Sequence, residues 1–219
     1  MATRFYTDPT NTPSVSPGFI GSWDDDTQAV RRKLVIDAPG SNGSTSFQVN
    51  ETAAYNDLVC VVQFVSEPLD SISATLSAAI AVFRCLESDA KANCYLQGSW
   101  GKCDSDGGNA TLIADHVAGS TAEFAADALT NRRLASENLA DQVFSQGDRL
   151  IFEVGASFIY EKVSSYTATI SVTDNSGSDL VNANNFISEY NSWIETGDTF
   201  TVASGEPAAI KLGPMFTFA

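Results

Sequence analysis

The side chains best suited to covalent chemistry are one histidine and the serines and cysteines that could act beside it as nucleophiles. His116 lies in the segment LIADHVAG. Catalysis by serine needs a base within hydrogen-bond reach, and its local signature is a GxSxG turn, which the chain lacks. P-loop and GxGxxG sequences are absent as well. We therefore interpret His116 as a strand-end histidine bonded to the backbone, and we expect neither phosphate nor dinucleotide chemistry.

Acidic residues offer two other chemistries, glycoside hydrolysis and calcium binding. A glycosidase needs two carboxylates at a defined separation. Glu153 projects from the most regular strand, on the face opposite its apolar residues, and we interpret it as solvated surface charge because no partner is recognisable. Oxygen ligands concentrate in loops at Asp24–Asp26, Asp104-Ser105-Asp106 and Asp174–Asp179. None has EF-hand spacing and such sequences also form plain turns, so we predict no cofactor, with Ca²⁺ as the alternative.

The four cysteines could form two disulfides or remain thiols. A chain without an export signal is made in a reducing compartment, which favours thiols. Cys60 and Cys85 lie in apolar strands and are interpreted as small buried hydrophobes. Cys94 and Cys103 bracket YLQGSWGK, a candidate hairpin whose legs a disulfide could join once the protein leaves the cell. Zinc is disfavoured because no CxxC spacing occurs.

Aromatic residues supply a further candidate site, since planar rings stack on sugar faces. Trp100, between Gly98 and Gly101, and Tyr95 are the candidates for a ligand-facing loop that binds a host-surface glycan. The alternative is that the tryptophans, including Trp23, plug the ends of the fold or anchor subunit contacts.

The elements that must position these residues are β-strands. Apolar residues alternate with polar ones across Gly147–Tyr160, Ile72–Val82 and Tyr166–Thr173, the period of two of a half-buried strand. We place the first of these at the centre of the fold. Leu58–Val65 is apolar on both faces, which predicts a strand covered on two sides, either under a flap or in a subunit contact.

Nine or ten short strands with Gly and Asn turns predict an all-β fold, an antiparallel β-sandwich of jelly-roll type. Ile210–Phe218 would be one of its closing strands. Residues 1–27 are turn-rich, with three prolines, and we expect them to form an extended N-terminal arm. Residues 28–219 would form a single sandwich domain.

The net charge restricts the partners. Twelve basic against 27 acidic residues give −15, which repels phosphate backbones and anionic bilayers. No apolar run is long enough to cross a bilayer, and the first residues lack the apolar core of a signal peptide. We expect a soluble protein made in the host cytoplasm that binds neither nucleic acid nor membrane.

Several short motifs occur in the order in which they occur in a known family. The chain resembles a family of tailed-bacteriophage structural proteins in Arg4-Phe5-Tyr6, Ser14–Pro17, Trp23-Asp24-Asp25, Glu67-Pro68-Leu69, Gly147–Leu150, Asp174-Asn175-Ser176 and Trp193-Ile194-Glu195. The resemblance implies a virion component of β-sandwich type with no catalytic residues. The segment from Cys94 to Cys103 is not a feature of that family.

The sequence thus leads to a non-enzymatic virion protein, a capsid decoration or cement protein that binds copies of itself and the major capsid protein. Its assembly contacts would be Arg4, Phe5, Tyr6, Trp23, Val59 and Val61. The alternative is a tail- or fibre-associated receptor or carbohydrate-binding module. A jelly-roll glycan hydrolase is the third hypothesis.

Overall fold

A computed structural model describes residues 2–36, 43–51, 57–118, 122–134, 138–159, 166–174, 178–187 and 190–203. The predicted strand Ile210–Phe218 lies outside these residues. The described residues contain no helix, and so none that could span a bilayer. Their strands are β1 (Thr3–Thr7), β2 (Val30–Val35), β3 (Gly43–Asn50), β4 (Leu58–Ser66), β5 (Ile72–Ala74), β6 (Ile80–Glu87), β7 (Cys94–Cys103), β8 (Thr111–Ala118), β9 (Thr130–Arg133), β10 (Gln142–Phe144), β11 (Arg149–Phe158), β12 (Thr167–Asp174) and β13 (Trp193–Thr196).

Eleven of these strands form one sheet in the order β3-β12-β6-β13-β1-β2-β4-β11-β7-β8, with β9 paired to β6 outside this path. Strands β5 and β10 form a separate pair. The predicted all-β class is confirmed. The prediction of a purely antiparallel sheet is wrong at one place, because β2 and β4 run parallel. The sheet is therefore mixed.

The predicted strands are found with three differences. Strand β11 is central, as expected, and pairs along its length with β4 and β7. However, every residue of β11 is buried, so its polar face is covered as well as its apolar face. The predicted strand Ile72–Val82 is broken in two, because Leu76 and Ala78 have φ of 43° and 50°. These left-handed conformations interrupt an extended chain.

The third difference is that two segments, the start of the predicted N-terminal arm and the predicted hairpin, are each one continuous strand of the sheet. Thr3–Thr7 is strand β1, paired with β13 and β2 in the middle of the sheet, so this part of residues 1–27 is not an extended arm. The stretch from Cys94 to Cys103 is one continuous strand, β7, and not a hairpin. Whether residues 28–219 form a single domain stays a prediction.

Aromatic rings join strands that are far apart in the sheet order. Phe83 of β6 stacks on Phe64 of β4 and on Phe152 of β11, with ring centroids 5.9 and 6.0 Å apart. Trp100 of β7 packs on Phe152 from the other side. The sheet must curve for β6 to face β4 and β11, and the main core lies between these faces. A smaller cluster, built on Val82, Leu180 and Trp193, lies on the opposite face.

Candidate functional site

A row of polar residues crosses the centre of the sheet on the face away from the main core. Arg31 of β2 pairs in register with Gln63 of β4, Gln63 with Glu153 of β11, and Glu153 with Ser99 of β7. Gln63 and Glu153 are polar residues whose neighbours along the strand are apolar on both sides. We call Arg31, Gln63, Glu153 and Ser99 the polar row.

Glu153 is the centre of the polar row and is 0% exposed. Its carboxylate accepts hydrogen bonds from the backbone N–H groups of Ile20 and Gly21 at 2.8 and 2.9 Å. It also accepts from Trp23 Nε1 at 2.7 Å and from Gln63 Nε2 at 2.8 Å. A carboxylate buried in this way is stabilised by its donors. The prediction that Glu153 is solvated surface charge is therefore wrong.

Three of these four donors, Ile20, Gly21 and Trp23, belong to residues 14–23, which cover the polar row and which we call the cover segment. Arg31 donates to Pro17 O at 2.9 Å and to Gln63 Oε1 at 2.8 Å. The indole of Trp23 lies over Gly155, where an added Cβ would meet Val59 O at 2.2 Å and the indole at 2.6 Å. A glycine at this position is what allows the close approach.

Arg149, at the start of β11, ties the other end of the cover segment. It is buried and donates to Ser14 Oγ at 3.2 Å, Ser66 O at 2.9 Å and Ser105 O at 3.1 Å. Burial lowers the pKa of the Arg149 guanidinium, which interacts with neutral acceptors at these three points. The Gly147–Leu150 motif thus serves the chain's own packing.

The polar row ends at a β-bulge in β8, opposite Ser99. The pairing of β7 with β8 shifts register between Gly98 and Trp100, and His116 has a φ of 41°. Ser99 Oγ donates to Asp115 Oδ1 at 3.0 Å and accepts from the His116 backbone N–H at 3.2 Å. Bulges aim side chains out of the regular alternation and are frequent beside active sites.

Asp115 and His116 also contact the cover segment. Asp115 accepts from the backbone N–H of Ser22 at 3.2 Å, and the His116 ring packs edge-on against Trp23 at 4.7 Å. Burial raises the pKa of Asp115, but hydrogen bonds from Ser22 and Ser99 and the nearby His116 outweigh it, so the net pKa is lowered. His116 Nε2 lies 3.3 Å from Asp115 Oδ1, although neither ring nitrogen has a well-formed hydrogen bond.

Ser99, Asp115 and His116 are the residue types of a nucleophilic triad, but their geometry differs from that of a triad. A triad serine donates to the imidazole, which in turn donates to the acid. Here the Ser99 hydroxyl donates to Asp115 directly, and Ser99 is fully buried. We interpreted His116 as a strand-end histidine bonded to the backbone, and within the described residues neither of its ring nitrogens makes a well-formed hydrogen bond. The cluster holds the cover segment on the sheet.

A second buried acid, Glu87 of β6, lies elsewhere in the sheet. Glu87 is 1% exposed and accepts from the Cys94 backbone N–H at 2.9 Å. Its carboxyl also hydrogen-bonds the carboxyl of Glu123. Burial, together with the charge of Glu123, raises the pKa of Glu87 to about 7. Two carboxyl groups that share a proton are one arrangement used for acid–base chemistry.

The predicted assembly contacts lie within the chain. Phe5, Val59 and Val61 are buried in the main core, so their side chains are not available to another copy. Arg4 pairs with Asp179 at 2.5 Å and Glu195 at 2.7 Å, and lies over the Trp193 ring. Tyr6 donates to Asp179 at 3.2 Å. Trp23 binds the chain's own sheet, one of the two partners expected for it.

The predicted ligand-facing loop and disulfide also differ from the structure. Trp100 is 1% exposed within β7, and Tyr95 lies in the same strand, so neither belongs to an exposed loop. Cys94 and Cys103 are the two ends of β7 and are free thiols. A strand of ten residues separates its ends by about 30 Å, far beyond disulfide reach.

Acidic side chains in the loops considered for calcium accept hydrogen bonds from the chain itself. Asp24 accepts from Leu58 N–H, Asp25 from Thr27, and Asp106 from Gly108 N–H. Residues 175–177 of the third loop lie outside the described residues. No group of three or more metal-binding side chains comes together in the described part of the chain. The absence of a cofactor, with Ca²⁺ as the alternative, stays a prediction.

Comparisons with known proteins give fold likenesses only. No family model and no curated protein matches the chain. The chain is similar to a CocE/NonD family hydrolase from Staphylococcus aureus, at 11% identity and a TM-score of 0.50, over 90% of this chain and 36% of that one. Weaker likenesses are to an aminopeptidase from the marine sediment Thaumarchaeota archaeon, at 12% identity, TM-score 0.45 and coverages of 75% and 34%, and to an alpha-amino acid ester hydrolase, at 10%, 0.41, 78% and 35%.

These findings contradict the predicted function. The correction rests on the likeness to the CocE/NonD family hydrolase, and the prediction of a non-enzymatic virion component, in its decoration and receptor-binding forms, is wrong. The motifs behind the phage resemblance include Arg4 and Arg149, which here tie the chain to itself. Short motifs that stabilise a fold recur without a shared function. The resemblance to the phage structural proteins stays a prediction. The chain spans about a third of the length of the hydrolases that it resembles.

Proposed function

We propose that this chain is a β domain of a hydrolase. The observation that carries the proposal is the fold likeness to the CocE/NonD family hydrolase, which extends over 90% of this chain but only 36% of that enzyme. A likeness of this kind matches a domain and not a whole enzyme. One fold can support many activities, so the activity is established by a direct assay.

The architecture that we propose for this domain is a sandwich of jelly-roll type. Its support is the packing of Phe83 against Phe64 and Phe152, which brings β6 face to face with β4 and β11. Two facing layers around one apolar core are the general plan of such domains.

The reacting groups, in this proposal, come largely from outside the described residues. His116 is the chain's one histidine, and Ser99, the serine beside it, is buried and bonded to Asp115. The polar row is covered by residues 14–23, so a substrate would have to displace them. The domain would contribute to hydrolysis by packing against a catalytic part and shaping access to it.

The test is hydrolysis by the native protein captured through a tag on this chain at its natural expression level. The substrates are p-nitrophenyl acetate, an amino acid methyl ester and an aminoacyl p-nitroanilide, which represent the esterase and aminopeptidase classes of the similar structures. We expect hydrolysis of at least one substrate well above that of a capture made with an unrelated tagged protein. No hydrolysis of any of the three would contradict the proposal.

A further inference from the structure

A segment of the chain covers the face of the sheet that points away from the main core. Residues 178–187 and 190–191 lie over the face of β6, β13 and β1 that points away from the main core. They contribute Leu180 to the small cluster with Val82 and Trp193, and Trp193 Nε1 donates to Leu180 O at 2.9 Å. The side of this segment that faces the sheet is therefore occupied by contacts within the chain.

The outer side of the same segment exposes four large apolar side chains beside polar residues such as Asn182 and Asn185. Ile187 is 71% exposed, Phe186 52%, Val181 42% and Tyr190 40%. Half of the large exposed apolar side chains among the described residues belong to this one segment. Single exposed apolar residues are common, whereas a group on one segment indicates an interaction site. We call Val181, Phe186, Ile187 and Tyr190 the apolar surface.

The backbone that carries the apolar surface is held firmly. The fully buried Asn131 donates its N–H to Phe186 O at 2.8 Å and accepts from Asn185 N–H at 3.0 Å. Arg133 N–H donates to Asn184 Oδ1 at 3.1 Å. Leu180 N–H donates to Asn191 O at 3.0 Å, which brings the two ends of the segment together. Exposed apolar side chains on a fixed backbone lose little entropy on binding.

We propose that the apolar surface docks the catalytic part of the hydrolase, an inference that rests on the function proposed above. The similar hydrolase has about two thirds of its length beyond the part matched by this chain, which supplies an occupant of suitable size. A second copy is a poor occupant, because each copy carries a net charge of −15 and like charges repel.

The charges beside the apolar surface specify the occupant further. Asp179 and Glu195 share the single guanidinium of Arg4, so this edge keeps an excess of negative charge. The docking face of the partner should therefore be apolar with a lysine or arginine at its rim. Complementary charge of this kind orients partners and speeds their association.

The experiment uses the tagged protein in its native cells, with the photo-crosslinking amino acid p-benzoylphenylalanine at position 187. After irradiation, the crosslinked peptides are identified by mass spectrometry, and the captured material is assayed with p-nitrophenyl acetate and the aminoacyl p-nitroanilide. We expect crosslinks to a polypeptide segment outside residues 1–219. The captured material that contains this segment should hydrolyse at least one of the two substrates. The same probe at position 143, which is 64% exposed on the separate β10 strand, should give none.

A substitution gives the quantitative arm of the experiment. Ile187→Asp should lower the captured hydrolysis at least tenfold, whereas the matched Val143→Asp should leave it unchanged. Both side chains are exposed, so thermal unfolding of the two variants should match that of the wild type. If Ile187→Asp does not fold, the crosslink from position 187 in the otherwise wild-type protein decides the outcome.

The outcomes separate this inference from the proposed function. Hydrolysis that is captured with the wild type and survives Ile187→Asp would overturn the docking surface and leave the function standing. Crosslinks from position 187 to a second copy of this chain, or none at all, would overturn it too. Absence of hydrolysis from the wild-type capture would instead overturn the proposed function.

Discussion

Two buried acids on one sheet, Glu153 and Glu87, have opposite surroundings. Glu153 accepts hydrogen bonds from four groups, two of them backbone N–H groups of the cover segment. Glu87 accepts one backbone N–H and faces a second carboxyl, that of Glu123. Both are almost fully buried.

The difference shows that burial alone does not determine what a buried acid does. A carboxylate with several donors stabilises the segment that supplies them, and its removal leaves those donors unpaired. A carboxyl beside another carboxyl keeps its proton more easily, because two adjacent negative charges repel. Glu153 is therefore a structural clamp, whereas Glu87 makes the stability of the fold depend on pH.

The largest expected effect is that of Glu153→Leu. The substitution leaves the N–H groups of Ile20 and Gly21, the indole N–H of Trp23 and the amide of Gln63 without their acceptor. We expect a loss of about 3–5 kcal/mol in the free energy of unfolding, measured by urea denaturation. Tryptophan fluorescence should also change as Trp23 loses its partner.

The matched control for this variant is Glu67→Gln, which removes a partly exposed ion pair with Lys33. It should cost less than about 1 kcal/mol. Similar losses in the two variants would show that Glu153 is not the clamp that its four hydrogen bonds indicate.

The next effect is the pH dependence of stability caused by Glu87. Its pKa is raised from 4.5 to about 7 in the folded protein, and burial is the largest cause. The folded state then holds the proton more tightly, so this stabilisation is complete below pH 4.5 and is lost as pH rises through about 7. We expect urea midpoints to fall between pH 5 and pH 8, by the equivalent of about 2–3 kcal/mol.

Glu87→Gln tests the assignment of that pH dependence. Glutamine keeps an acceptor for the Cys94 N–H and a donor for Glu123, so the variant should show a flat profile over the same range and exceed the wild type in stability at pH 8. Glu195→Gln, at the half-buried pair with Arg4, should keep the wild-type slope. An unchanged slope in Glu87→Gln would assign the effect to another group.

A smaller effect is expected from Glu123→Gln. The charge of Glu123 is a lesser cause of the raised pKa of Glu87 than burial, so its removal should shorten the pH range of the effect without abolishing it. We expect the change in the free energy of unfolding between pH 5 and pH 8 to be smaller than that of the wild type by about 1 kcal/mol. Loss of the whole slope in this variant would mean that the second carboxyl, and not burial, dominates.

The smallest effect concerns the thiols at the two ends of β7. Burial raises the pKa of Cys103 to about 11, and it raises the pKa of Cys94 further, with the charge of Glu87 adding to it. In the native protein at pH 8, a disulfide reagent such as DTNB should label Cys103 before Cys94, and both slowly. Glu87→Gln should speed labelling of Cys94 a few-fold. Equal rates at the two ends would contradict this order.

Part of the fold followed from the period of two in the sequence. Strands β4, β11 and β12 occur where the alternation or the apolar run predicts them. The predicted hairpin between Cys94 and Cys103 has Gly98 and Gly101 in its loop, whereas the structure places both glycines inside strand β7. In the strand an added Cβ would meet Leu134 at 2.5 Å from Gly98, or Thr111 O at 2.5 Å from Gly101. A glycine inside a strand can mark a close approach of neighbours as well as a turn.

The candidate site was recognisable only in part. The signal for the polar row was a lone polar residue in an apolar run, such as Gln63 in LVCVVQFV. Its partners were not recognisable, because Arg31, Gln63 and Glu153 come into register only through the pairing of β2, β4 and β11. The positive φ of His116 depends likewise on the bulge opposite Ser99.

The sequence by itself determined strands such as β11 and β12 and the two faces of each, because successive side chains of an extended chain point to opposite sides. Only the tertiary structure decided what covers each face. The polar face of β11 is buried because Ile20, Gly21 and Trp23, more than 120 residues earlier in the chain, lie over it and donate to Glu153. Alternation distinguishes two faces but does not state which of them meets water, since that depends on contacts between residues far apart in the chain.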